Sequence, residues 1–406
     1  MQTTSTPVNI HAELEEARRR TDELFEVVRP DSLFERPVPE RHRLNFYIGH
    51  IEAFDWNMIC EYELSVPAFN REFNELYAFG IDPDGSGLPT DQPQDWPSLA
   101  QTREYCERVR DTIDKVIEEV PEDIAQTCVE HRLMHAETLS YLLHNLDSEH
   151  KCGPRSEPCA PASSPARHWI EIPAGSATLG RRKGSGFGWD NEFSELSVDV
   201  PAFEVSKYKV TNGDYLEYVN QGGKVPHYWT RIDGEWWLRT MFGEIPLPLD
   251  WPVYATHTQA RAFAEQAASS LPTEAQFDRA GYSSLSGQPR AYPWGNEEPE
   301  RNCGNFDFHR WDLSPVTTYP DGDSTFGVSQ LLGNGWEWTA DVFRPLPGFE
   351  PYPFYPGYSA DFFDDDHYVI KGGSPRTAGK LLRRSFRNWF RRDYKYLFST
   401  IRLVRN

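Results

Sequence analysis

The chain has 406 residues, with 41 Lys and Arg against 62 Asp and Glu, and a formal net charge of −21. That length exceeds one ordinary domain, and 38% hydrophobic with 14% aromatic residues gives it cores to fill, which excludes a disordered chain. The acidic balance argues against a nucleic-acid partner, which needs a dense basic face, and no apolar run reaches the roughly 18–20 residues of a membrane helix.

The acidity is uneven. Residues 1–150 carry 31 acidic and 13 basic side chains, net −18, whereas residues 151–406 carry 31 and 28, net −3. The shift marks a domain boundary. The start, MQTTSTPVNIHAELEEARRR, has no apolar stretch, so no leader is expected. The six cysteines are scattered with no CxxC spacing and read as the reduced thiols of a cytoplasmic protein.

Residues 1–146 read as a four-helix bundle. Apolar positions recur by threes and fours at Leu14, Ala17, Leu24 and Val28, then at Leu44, Tyr47, Ile51, Phe54 and Met58. They recur again at Leu99, Cys106, Val109, Ile113, Val116 and Val120, and at Ile124, Cys128, Leu139, Leu142 and Leu146. Each set draws one apolar stripe along a helix. The stretch Gly80–Pro97, rich in Gly, Pro and Asp, is a loop, and the Pro/Ser-rich 147–166 is a linker. From 167 to 406 the pattern changes to short β-like runs (WIEIPAG, SVDVPAFEVSKYKV, HYVIKGG, TIRLVRN) between long loops, with one helix around Thr258–Ser269. The fold class is therefore α+β in two domains.

Three histidines carry chemistry. His131 and His135 are four residues apart on the fourth helix and continue its apolar stripe. His50 lies between Phe46 and Phe54 on the second helix and also looks inward. Unpaired buried imidazoles are costly, and a metal ion removes the cost. Local hydrogen bonding of each ring is the alternative, which three convergent inward positions disfavour. His42, His144 and His150 lie off these faces and are expected at the surface. Three histidines suit zinc, whereas iron more often takes a carboxylate as well, so the residues alone leave the metal open.

The segments WIEIPAGSATLG, FGWDNE, LPTEAQF, YPWGNEEP, LLGNGWEWTADVF, VIKGGSPRT and RRSFRN…FSTIRLVRN occur in an order that resembles the formylglycine-generating-enzyme (sulfatase-modifying factor) domain. That resemblance implies a C-type-lectin-like fold from Trp169 to the end. GHIEAFDWN and HRLMHAET resemble the metal-binding segments of a DinB-like four-helix bundle. The two in series resemble the EgtB/OvoA class of sulfoxide synthases of the ergothioneine pathway. The likeness implies a non-haem Fe(II) held by His50, His131 and His135, and O2-dependent coupling of a cysteine-type thiol to the imidazole of a hercynine-like betaine. It also implies a betaine pocket lined by the aromatic pair after the RN dipeptide, here Trp389 and Phe390, whose faces suit a quaternary ammonium. Residues 371–406 carry eleven Lys and Arg against Asp393, a basic rim for substrate carboxylates or else a solvated face.

Two departures stand out. Met134 takes the place of the Gln that orients the substrate imidazole in the family, and a thioether cannot reproduce an amide's hydrogen bonding. The family's proton-donating tyrosine has no direct counterpart in RPLPGF; Tyr355, Tyr352 and Tyr77 are the candidates. A selenoneine synthase, a 5-histidylcysteine sulfoxide synthase or a zinc-dependent DinB-type thiol transferase are the alternatives. Formylglycine generation is excluded because Cys303 is the only cysteine after Cys159. The motif Gly333–Trp338 reads as scaffold, with Glu337 holding loop amides.

Overall fold

The computed structural model describes residues 9–78, 88–160, 162–284 and 288–406; part of the expected Gly80–Pro97 loop and the first eight residues lie outside these. The chain divides into two compact units at Pro154/Arg155.

The first unit is helical. Helix α1 (Ile10–Glu26) begins at Asn9, whose side chain accepts from the Ala12 amide. Helix α2 (Leu44–Asp55) runs on as a π-helix over Trp56–Glu63, a geometry frequent near functional sites. A short α3 (Arg71–Tyr77) precedes α4 (Leu99–Ile113), which Ser98 and Gln101 start with a reciprocal capping box. The long α5 (Glu122–Asn145) follows Pro121. It packs on α1 and α2, and every residue from Ile124 to Asn145 except Met134 is buried. That corrects one expectation: His144 is buried rather than at the surface, because α5 is enclosed on its polar faces as well.

The second unit is built from short strands and loops. Strands β1 (Trp169–Ile172), β2 (Gly175–Leu179), β3 (Leu196–Val200) and β4 (Phe203–Ser206) lead into α6 (Asn212–Asn220). A meander of β5 (Trp229–Ile232), β6 (Glu235–Thr240) and β7 (Gly243–Pro246) follows, then α7 (His257–Gln266) and α8 (Glu274–Tyr282). The last strands are β8 (Trp336–Val342), β9 (His367–Lys371), β10 (Asn388–Arg391), β11 (Ser399–Thr400) and β12 (Val404–Arg405). They assemble as β1-β4-β12, β10-β9-β8-β11, β2-β3 and β5-β6-β7. A core of Ile172, Val205, Phe277, Leu331 and Val404 joins elements far apart in sequence.

Where one helix was expected here, α6 and α8 flank it. Thr211/Asp214, Thr256/Gln259 and Thr273/Gln276 form a capping box at the start of each of the three. TNGD, THTQ and TEAQ were thus a legible start signal for all of them.

Two further expectations change. Glu337 does not hold loop amides; it is buried against Lys209 Nζ at 2.7 Å and Arg402 at 2.7–3.0 Å. Four of the eleven carboxyl-terminal cations, Lys371, Arg376, Arg387 and Arg402, are buried rather than part of a rim; Lys371 pairs with Asp278, Arg387 with Glu274 and Arg402 with Glu337, and the half-buried Arg383 pairs with Glu192. All three residues of the GNG turn have positive φ (78°, 56° and 105°), Asn334 being the non-glycine among them, and its side chain ties Ser314, Gln330 and Asn305 together.

Candidate metal centre

The helical unit brings His50 from α2 and His131 and His135 from α5 together, all three at most 6% exposed. Their ligating atoms lie within 4.8 Å of one another, and no Asp, Glu or Cys among the described residues joins them. The Nε2 of His135 lies 3.2 Å from that of His50 and 3.1 Å from that of His131. Phe46 stacks on His50 with centroids 4.8 Å apart, and Phe54 on His131 at 3.5 Å, so two rings of α2 clamp two of the imidazoles.

The protonation pattern follows from these contacts. His50 Nδ1 donates to the Tyr77 carbonyl at 2.7 Å, which leaves its Nε2 as a bare lone pair aimed at the other two. Burial lowers the His50 pKa to about 4 against the opposing pull of that carbonyl. Burial, reinforced by the neighbouring imidazoles, drives His131 and His135 well below the ordinary histidine value. All three are therefore neutral near pH 7. His135 Nε2 faces both other Nε2 atoms, and a neutral imidazole nitrogen is either a donor or an acceptor, so with His50 Nε2 bare at most one of the two contacts can be a full hydrogen bond. A cation at their focus removes the conflict, so the donor set fits a metal ion.

The other expected site residues are placed as follows. Met134 lies on α5 directly before His135 and is half-buried. Tyr77 is fully buried; its hydroxyl is 2.8 Å from Thr102 Oγ1 and its carbonyl serves His50. The carbonyl role was not anticipated, because a backbone contact across 27 residues leaves no pattern in the sequence. In the second unit, Trp389 stacks on Phe343 (centroids 4.2 Å, 7° between planes), with Tyr358 edge-to-face and Phe362 tilted beside it. Phe390 instead stacks on Tyr394 at 5.3 Å. Neighbouring residues of a strand face opposite ways, and β10 puts these two rings on different faces, so they do not form one wall. Tyr355 packs with Trp189 and Tyr358, and burial pushes its hydroxyl up to about 12. Tyr352 donates its hydroxyl proton to the Gly188 carbonyl.

Residues 156–406 match the sulfatase-modifying factor enzyme 1-like domain, and residues 13–144 match the DinB superfamily. Ergothioneine biosynthesis protein 1 of Neurospora crassa is 28% identical, covering 93% of this chain and 55% of that protein. The protein of the same name from Schizosaccharomyces pombe is 29% identical, covering 93% and 53%. The chain thus spans about half the length of these two relatives. Hercynine oxygenase of Mycobacterium tuberculosis is 32% identical, covering 76% of this chain and 78% of that protein. With both segments matched in the same order, the chain belongs to the EgtB/OvoA-type family, in which a DinB-superfamily bundle precedes a sulfatase-modifying factor enzyme 1-like domain.

Proposed function

We propose that this chain is a non-haem Fe(II)- and O2-dependent enzyme that joins the sulfur of a cysteine-type thiol to the imidazole of hercynine or a close relative, giving a sulfoxide. The observation that carries the reading is the buried group of three neutral histidines whose Nε2 atoms converge. Relatives named hercynine oxygenase and ergothioneine biosynthesis protein 1 support the substrate class.

His50, His131 and His135 would hold the metal, which when bound supplies the activation of O2. Three histidines leave coordination positions open for O2 and substrate. The Tyr77 carbonyl fixes the His50 ring and its tautomer. Trp389, held flat by Phe343, offers an aromatic face for the trimethylammonium group, which can donate no hydrogen bond and is recognised by cation–π attraction. Tyr355 and Tyr77 are the candidate proton donors: burial raises both hydroxyls to about 12, which keeps each protonated near pH 7.

The test is to load the protein with Fe(II) anaerobically, add hercynine with a panel of thiols, and follow O2 uptake and product mass. A product whose mass is that of the two substrates plus one oxygen and minus two hydrogens, the second oxygen of O2 leaving as water, supports the reading. O2 uptake without a joined product, or none with any thiol, refutes it.

A further inference from the structure

We infer that Arg132 is a positioning residue for the metal centre: it locks α5 against α2 in the register that brings His131 and His135 to His50. The inference rests on the metal reading above. Arg132 directly follows His131, and its partners Glu52 and Asp55 follow His50 by two and five residues, so ligands and lock share the same turns of the same two helices.

The lock is bidentate. Arg132 Nη1 donates to Glu52 Oε1 at 3.0 Å, and Nη2 donates to Glu52 Oε2 at 2.9 Å, Asp55 Oδ2 at 2.6 Å and the Ile51 carbonyl at 3.3 Å. All three side chains are buried at 0–1% exposure. Glu52 also accepts from Arg110 of α4 at 2.8 Å, and Arg110 forks onto Asp22 of α1 at 2.7 Å, so α1, α2, α4 and α5 are joined in one network.

Stability does not account for such a cluster. Burying ions is costly, and apolar side chains of similar volume usually hold helices at least as well. What the planar guanidinium adds is direction: two carboxylates one turn apart, bound through one fork, fix both the axial position and the rotation of α5 on α2. One residue of slip turns a helix by about 100° and would swing the imidazoles off their focus.

The experiment titrates the parent protein and Arg132→Lys with Co(II), following the ligand-field absorption bands, alongside thermal melts of the metal-free proteins. A lysine keeps the charge but not the fork. The expected result is a metal-free variant that still melts cooperatively, binds Co(II) about 10–100-fold more weakly, and shows displaced bands. A triple variant, R132M/E52Q/D55N, removes the buried charge altogether and covers the case in which the lysine variant fails to fold; the same weakening and band shift are expected. Parent-like affinity and bands in whichever variant folds would overturn the inference. Failure of the parent to bind Co(II) would overturn the metal reading itself, and the inference with it.

Discussion

Replacing Gly49 by Ala tests how tightly the metal centre is built. Gly49 precedes His50 on α2, and a Cβ there would lie 2.5 Å from three ring carbons of Tyr77, about 1 Å inside ordinary contact. The ring has little freedom to yield: Tyr77 is fully buried, its hydroxyl is bonded to Thr102 at 2.8 Å, and its carbonyl holds His50 Nδ1 at 2.7 Å. Overpacking of this kind costs typically about 1–3 kcal/mol. Against it stands the gain of roughly 1 kcal/mol from alanine over glycine inside a helix. The net expectation is a destabilisation of about 0–2 kcal/mol, a fall in Tm of up to roughly 8 °C for a unit of this size. The second readout is more selective. Pushing Tyr77 outward lengthens its bond to His50, and loss of such an outer partner typically weakens a metal site by about 10–100-fold. Metal titration followed by thermal melts of the apo and loaded forms reads both effects. A variant that melts higher than the parent and binds metal with unchanged affinity would refute the argument, because α2 and Tyr77 would then have room the packing denies them.

Three further outcomes are expected. His131→Ala should abolish stoichiometric metal binding; metal at a hundred times its Kd should stabilise the parent by about 2.7 kcal/mol and this variant not at all, and equal Tm shifts in the two would contradict the ligand set. Asp190 is buried, and burial raises its pKa from 3.8 to about 6 against the opposing hydrogen bonds from Ser359 and the Asn191 and Tyr352 backbone. The folded state therefore holds that proton more tightly than the unfolded chain, so its contribution is present at low pH and lost as pH rises through about 6. Asp190→Asn should accordingly be more stable than the parent at pH 8, by on the order of 1–3 kcal/mol, and nearly equal to it at pH 4; denaturant melts showing the same difference at both values would reject the assignment. Trp389→Ala should weaken hercynine binding by up to about tenfold while leaving metal content unchanged, as calorimetry and metal analysis would show; full retention of the preference for hercynine over histidine would remove Trp389 from the pocket.

The three histidines were legible in the sequence because helical periodicity is local: four residues between His131 and His135, and Phe46 and Phe54 four residues either side of His50, already assign them to inward faces. The change of pattern after residue 146 and the ordered loop motifs likewise lie in contiguous stretches. The missed helices α6 and α8 were legible too, in the Thr-x-x-Asp and Thr-x-x-Gln spacings that cap them. The opposite facing of Trp389 and Phe390 followed from the period of two once β10 was placed. Other features had no local signature. Arg132 meets Glu52 across 80 residues, and Arg387 meets Glu274 across 113. The carbonyl of Tyr77, a group every residue carries, orients His50. Charge in a sequence reads as solvent-facing by default, since an unpaired buried ion is prohibitively costly. Only the tertiary structure brings the opposite charge alongside, which is why the buried carboxyl-terminal cations and the Arg132 lock became visible only in the folded chain.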